Sequence, residues 1–261
     1  INNQLVAATG MLASTEQLGD DSYLKPGAYI QLQRTVEMYA WVENKESTTT
    51  KTTGGGSTTK TTYTYSKEWT SDPENSDGFK EAGHANPKLP LQSDTWTVDN
   101  AKVGAYDVDL RTLTLPEPEP LALDETNVTA GSNWQRVDDY IVNRPAVLDQ
   151  PQVGDVRISY GVVPNEVAVT LFGRADGKAI RPYETENARL YRAFVENRED
   201  AIATLNTEYT VMLWVLRLGG FLLMWFGLIM VFAPLRAILD VVPFIGSAGA
   251  LVIGTIMFAV A

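Results

Sequence analysis

The chain contains one histidine and no cysteine. The histidine, His84, sits in Gly83-His84-Ala85-Asn86-Pro87. A single imidazole without thiolates leaves carboxylates as the only other strong ligands, so a structural zinc site is disfavoured. A Ser-His-Asp arrangement needs members close in space and not in sequence. Nothing here has the form Gly-x-Ser-x-Gly, however, and His84 is read as structural: its ring and the Asn86 amide hydrogen-bond backbone groups in a turn before Pro87. Glu37, Glu43 and Glu68 stand beside Tyr39, Trp41, Tyr65 and Trp69. Two carboxylates held close can serve as acid and base, but a strand pattern brings many Glu residues near one another, and solvated sheet positions are the simpler reading. No phosphate-binding loop of Walker or dinucleotide type is present. The expectation is a non-enzyme with no catalytic residue, metal or cofactor.

The elements that must position these residues are mostly strands. Val36–Glu43 and Tyr63–Trp69 are rich in aromatic and β-branched types and read as the arms of one antiparallel hairpin. Between them, residues 45–62 are Thr-rich around Gly54-Gly55-Gly56, which predicts a flexible, solvated hairpin end. Leu5–Leu12 is a short apolar run consistent with a buried strand. Leu113–Pro120, with alternating Pro, predicts a stiff extended connector. Val153–Tyr160 and Val167–Gly173 form a second β unit, and Ala175–Lys178 supplies a turn.

From Glu186 to Tyr209 the apolar period turns helical, through Leu190, Tyr191, Phe194, Val195, Ala201, Ile202, Leu205 and Tyr209. No Gly or Pro separates this stretch from Val211. Leu218–Leu235 and Phe244–Ala261 then carry no charged side chain, and each lies near the lower edge of the roughly 17 to 25 residues that cross a bilayer as helix. The sequence thus predicts an α+β protein in five parts: a β-rich extramembrane domain (1–185), an amphipathic stalk helix (186–210), a transmembrane helix (211–235), a bend (236–243) and a second, truncated span (244–261). The first residue is Ile1 and the last lies inside an apolar run, so both ends are expected to belong to a longer protein.

Charge divides the chain at the same place. The formal net charge of −11 divides into −12 upstream of residue 211 and +1 beyond it, where only Arg217, Arg236 and Asp240 are charged. An acidic domain of this kind repels phosphate backbones, which excludes nucleic acid as a partner. Arg217 lies near the expected membrane boundary, where its long side chain can reach headgroups. Its alternative role is a buried pairing that holds the span to a neighbour, with Asp240 as candidate partner. Gly219, Gly220 and Gly227 leave small patches on the first span that permit close helix contact.

The assembled residues resemble the TMEM43 (LUMA) family of membrane proteins. The likeness is carried by Val36-Glu37-Met38-Tyr39 with Trp41-Val42-Glu43, and by Tyr63-x-Tyr65-Ser66 with Glu68-Trp69-x-Ser71. Phe79 with Gly83-His84-x-Asn86-Pro87 follows, then Val153-Gly154-Asp155-x-Arg157-x-Ser159 and Leu216-Arg217-x-x-Gly220. The resemblance implies one N-terminal span, a large extramembrane domain and a cluster of C-terminal spans. It makes Glu37, Tyr39, Trp41, Glu68, Trp69, His84, Asn86, Gly154 and Asp155 structural positions, since the family supplies no catalytic residues to transfer. Eukaryotic members are proteins of the endoplasmic reticulum and inner nuclear membrane that associate with themselves, emerin and lamins. The Thr-Gly insert, the acidity and the absence of cysteine look more like a bacterial relative, for which lamin and emerin do not carry over. The large domain is then expected on the periplasmic side of the inner membrane, equivalent to the lumenal side in eukaryotes.

These readings converge on a membrane-anchored scaffold that self-associates and organises a membrane protein complex. Its expected partners are further copies of itself, the lipid bilayer and membrane proteins the sequence does not identify. The alternatives are a channel or transporter subunit, which intramembrane charges would mark although Arg217 and Asp240 both lie near span ends and argue against a pathway through the middle, or a tethered ligand-binding or enzymatic domain using His84 and Glu68.

Overall fold

The computed structural model describes residues 4–51, 57–129, 131, 133–186, 188–231 and 258. They fall into two units, Ile1–Asn197 and Arg198–Ala261. The principal strands of the first unit are β1 (Leu5–Ala13), β2 (Tyr29–Lys51), β3 (Ser57–Thr70), β4 (Asp94–Thr97), β5 (Ala101–Val103) and β6 (Tyr106–Val108). They continue with β7 (Gln135–Val137), β8 (Tyr140–Val142), β9 (Val156–Pro164), β10 (Val167–Asp176), β11 (Ala179–Arg181) and β12 (Arg192–Phe194). The second unit contributes α1 (Arg198–Val231).

One sheet closes on itself. β1 pairs with β5, β5 with β6, β6 with β11, β11 with β10, and β10 returns to β1; only the β6–β11 contact is parallel. Closure removes the strand edges, and the inward positions, among them Leu12, Val103, Leu171 and Ile180, fill the interior. Tyr191 enters the same core, where its hydroxyl donates to the Ile180 carbonyl at 2.8 Å and accepts from the Asp109 N–H at 2.9 Å. The close approach depends on Gly173, because a Cβ there would sit 2.6 Å from Ile180 Cγ2 and 3.0 Å from the Tyr191 ring.

The other sheet runs β7-β8-β9-β2-β3, with β4 also on β2. Along β2 the even positions Leu32, Arg34, Val36, Met38 and Ala40 are buried and the odd ones are not, the alternation of a sheet with one face on a core. That core includes Met38, Ile141, Ile158 and Val156. The first half of β2 pairs with β9, and from Met38 to Lys51 it pairs with the whole of β3 without a register shift. The expected hairpin is present, and at about 3.4 Å per residue its two arms run roughly 45 Å.

Two expectations change. The Thr-rich segment continues the ladder on both arms, since β-branched side chains suit a pleated surface. Hydroxyl pairs Ser47–Thr61 at 3.1 Å and Thr49–Thr59 at 3.0 Å join the arms; Gly54–Gly56 lie outside the described residues. The stalk helix does not start at 186. Arg189–Leu190 pairs with Tyr183–Glu184, β12 pairs with β10, and the helix begins at Arg198. Ala193 and Phe194 are buried in β12 and Tyr191 just before it, and the Ala193 N–H donates to the Thr114 carbonyl at 2.9 Å, which ties β12 to the connector. The β-rich unit therefore extends to Asn197.

α1 then continues without interruption for 34 residues, about 50 Å at 1.5 Å per residue. Glu199 and Asp200 occupy its first turn, where the helix dipole favours negative charge. Thr207 and Thr210 donate to the carbonyls four residues earlier, so their hydroxyls are satisfied as the helix becomes apolar. Among the described residues α1 is the one helix long and apolar enough to cross a membrane. The expected bend at 236–243 and second span at 244–261 lie outside the described residues, apart from Phe258, whose ring lies 5.1 Å from Phe221 and 5.5 Å from Trp225.

Candidate functional site

Residues directly opposite in an antiparallel pair share a face. The odd face of the hairpin therefore carries Tyr39 with Trp69, Trp41 with Lys67, and Glu43 with Tyr65. Tyr39 and Trp69 lie 5.4 Å apart, and the Lys67 ammonium sits 4.4 Å from the centre of the Trp41 ring. β2 runs beyond the end of β9, so its edge needs another partner for its backbone groups. Asn86 provides it: its Oδ1 accepts from the Trp41 N–H at 2.7 Å and its Nδ2 donates to the Trp41 carbonyl at 2.8 Å. A side-chain amide here imitates one rung of a sheet. The Asn86 N–H in turn donates to Ser76 Oγ at 2.9 Å, and Glu74 accepts from the Glu43 N–H at 3.2 Å.

The same loop covers the face. His84 stacks on Tyr65 with ring centres 3.8 Å apart and meets Trp41 edge-on at 4.6 Å. The Glu43 carboxylate accepts from the Tyr65 hydroxyl and the Lys80 N–H, both at 2.6 Å, and the Tyr65 oxygen accepts from the Glu81 N–H at 2.9 Å. The Lys80 N–H, followed by Tyr65, holds the Glu43 carboxyl below its ordinary range. Desolvation, reinforced by the bond to Glu43, raises the Tyr65 phenol.

Towards the base, Arg157 donates to Glu37 at 2.7 Å and lies over both Trp69 (4.5 Å) and Tyr140 (4.8 Å). The next turn is set by Gly154, whose φ of +95° favours glycine; a Cβ there would also stand 3.0 Å from the Pro87 ring. Gly154 donates to the Tyr39 carbonyl and Tyr39 to the Asp155 carbonyl, each at 2.9 Å. Asp155 is bridged by Arg144 and accepts from the Gln152 N–H at 2.7 Å. Burial alone would raise its carboxyl, but Arg144 and Gln152 outweigh burial and lower it.

The structure thus gathers Glu37, Tyr39, Trp41, Trp69, His84, Asn86, Gly154 and Asp155 on or beside one face of β2 and leaves Glu68 apart. Glu68 pairs with Ala40 on the opposite face. Glu37 and Glu43 are six positions apart on one strand, roughly 20 Å. The spacing of these three carboxylates does not suit an acid–base pair. His84 Nδ1 lies 3.4 Å from the Glu81 carbonyl oxygen, a backbone contact of the expected kind. Among the described residues no group of three or more His, Cys, Asp or Glu side chains is placed to hold a metal ion.

Sequence reasoning missed a buried charge cluster beneath this face. Arg34 donates to Asp20 at 2.5 Å and to the Gln92 carbonyl at 2.9 Å, and the Tyr160 hydroxyl donates to the same Asp20 oxygen at 2.8 Å. Burial, followed by Asp20, pushes the Tyr160 phenol well up. The signal was an arginine in the buried row Leu32, Arg34, Val36, Met38.

On α1, Arg217 lies over the Trp214 ring at 5.3 Å, one turn back along the helix. Asp240, its candidate partner, lies outside the described residues. Added Cβ atoms at Gly219, Gly220 and Gly227 would meet nothing within 4 Å. From Tyr209 to Val231 the helix exposes Trp214, Leu216, Leu218, Leu223, Phe226 and Met230, among others, so its apolar surface is suited to lipid.

A β-rich domain followed by an exposed, apolar 34-residue helix defines a membrane protein with a large extramembrane portion. The family model described as transmembrane protein 43 matches residues 38–261, and the chain belongs to that family. It is 27% identical over 256 residues to transmembrane protein 43 of Rattus norvegicus, and 26% over 264 residues to that of Homo sapiens, each covering 92% of this chain and 63% of the relative. The homolog from Drosophila melanogaster is 25% identical over 237 residues, covering 87% of the chain and 62% of the relative. The chain thus spans a little under two thirds of the length of these curated relatives. No solved structure matches.

Proposed function

We propose that this protein is a membrane-anchored, non-enzymatic scaffold that associates with further copies of itself and organises a membrane protein complex. The observation that carries the reading is how the charged and polar motif residues are used. Glu37 is bound to Arg157, Glu43 to Tyr65 and Lys80, Asp155 to Arg144, and Asn86 to Trp41. Groups engaged in holding a surface rigid are not poised for proton transfer, which needs a group within reach of a reacting atom. What remains open is contact surface: the outer hairpin and a helix face with small residues at Gly220 and Gly227, two turns apart. In this reading the large domain lies on the lumenal or periplasmic side.

Mass measurement of the full-length protein in mild detergent tests the proposal. Particles containing two or more chains are expected. A strictly monomeric protein removes self-association.

A further inference from the structure

Along the 14-residue β3, the backbone donors and acceptors of alternate residues form an outer edge with no neighbouring strand among the described residues. Tyr39 and Trp41 direct their backbone N–H and C=O groups to Asp155, Gly154 and Asn86, away from β3. The even positions of β2 therefore serve the hairpin ladder. With Ala40 opposite Glu68, the even positions of β3 face β2 and the odd ones, from Ser57 to Trp69, point outward. Among the described residues β3 pairs only with β2. No Pro interrupts it and no bulge twists it, so of the usual protections for a sheet edge it has only charge, at Lys60, Lys67 and Glu68.

That charge selects a partner. An antiparallel edge contact must place outward positions opposite outward positions, so a second β3 can pair only in registers that change by two. In the register centred on Thr64, Thr64 faces Thr64, Lys60 faces Glu68 at both ends, and Tyr63 faces Tyr65 on the aromatic side. The same register overlaps residues 58–70, nearly the entire strand. Registers centred on Lys60, Lys67 or Glu68 set like charges opposite each other, which is destabilising, and the registers on either side of Thr64 leave Lys60 and Glu68 without opposite charge. We propose that a second copy of this chain pairs with β3 along this edge, in antiparallel fashion about a two-fold axis at Thr64. This deepens the scaffold reading and rests on its self-association.

The absence of cysteine supplies the test. Thr64 is exposed and would be a non-hydrogen-bonded position of the new ladder, where opposing Cα atoms lie about 4.5 Å apart, within disulfide reach. The full chain carrying Thr64→Cys, in mild detergent with a gentle oxidant, should convert to a covalent dimer. Thr62→Cys should not, since its two copies would stand roughly 13 Å apart. Lys60→Glu should lower the native mass to half, and Lys60→Glu with Glu68→Lys should restore it by exchanging the charges. The proposal is overturned if Thr64→Cys cross-links no better than Thr62→Cys, or if Lys60→Glu leaves the mass unchanged. An oligomer that survives those failures uses another surface, and the scaffold reading stands; a chain that is monomeric before mutation ends both.

Discussion

The lower and outer halves of the long hairpin share one strand pair and one register but are held in different ways. Below Glu43, β2 is bonded on both edges, to β3 on one side and to Gly154, Asp155 and Asn86 on the other. Its odd face is covered by His84 and its even face lies on the apolar core. Above Lys45, the arms pair only with each other among the described residues, joined by backbone bonds and Ser–Thr and Thr–Thr pairs. The family motifs concentrate in the half that needs distant parts of the chain. Regular β structure can thus extend beyond its tertiary support, at the expense of leaving an edge open.

The largest effect should come from the buried cluster under the braced half. Asp20→Ala leaves the Arg34 guanidinium buried without its carboxylate and removes the Tyr160 acceptor, a loss of about 3–5 kcal/mol. Chemical denaturation of the extramembrane unit within the full chain reads it directly. Asn86→Ala comes next: it leaves the Trp41 N–H and C=O without partners, worth about 1–3 kcal/mol. Hydrogen exchange should show faster exchange at Trp41 and unchanged exchange at Asn44 and beyond.

Acid should discriminate between the halves as well. Glu43 and Asp155 have folded-state pKa values below their ordinary ones, so the unfolded chain takes up protons first as pH falls. Their contribution is complete above the ordinary carboxylate range and is lost as pH drops through the lowered values. Melting temperature measured from pH 6 to pH 3 should decline, and Glu43→Gln should flatten part of that decline. The smallest effect is expected from Thr49→Ala, about 0.2–1 kcal/mol, confined to the outer half and visible as faster exchange there.

Much of this comparison was legible in the sequence, and the reasons are specific. The hairpin follows from alternation in Val36–Glu43 and Tyr63–Trp69, a local pattern. A backbone-binding role for Asn86 follows from Asn-Pro turn chemistry, but its target, Trp41, lies 45 residues away and only folding brings the two together. Leu190, Tyr191, Phe194 and Val195 satisfy a helical period, and what decides for strand is the β10 edge and Thr114, neither of which a local window contains. Arg34 was visible as a charge in a buried row, whereas Asp20 stood out only once the sheets were packed. From Arg198 onward the long helix was legible, because solvent preference of side chains is a local property.

The scaffold reading requires copies of this protein to associate in the membrane that α1 enters. The most direct measurement is photobleaching step counting of the singly labelled full-length protein in lipid vesicles, with lipid in large excess. Two or more steps in most particles are predicted. Single-step bleaching throughout would mean that the protein is a monomer in the membrane and would rule out self-association.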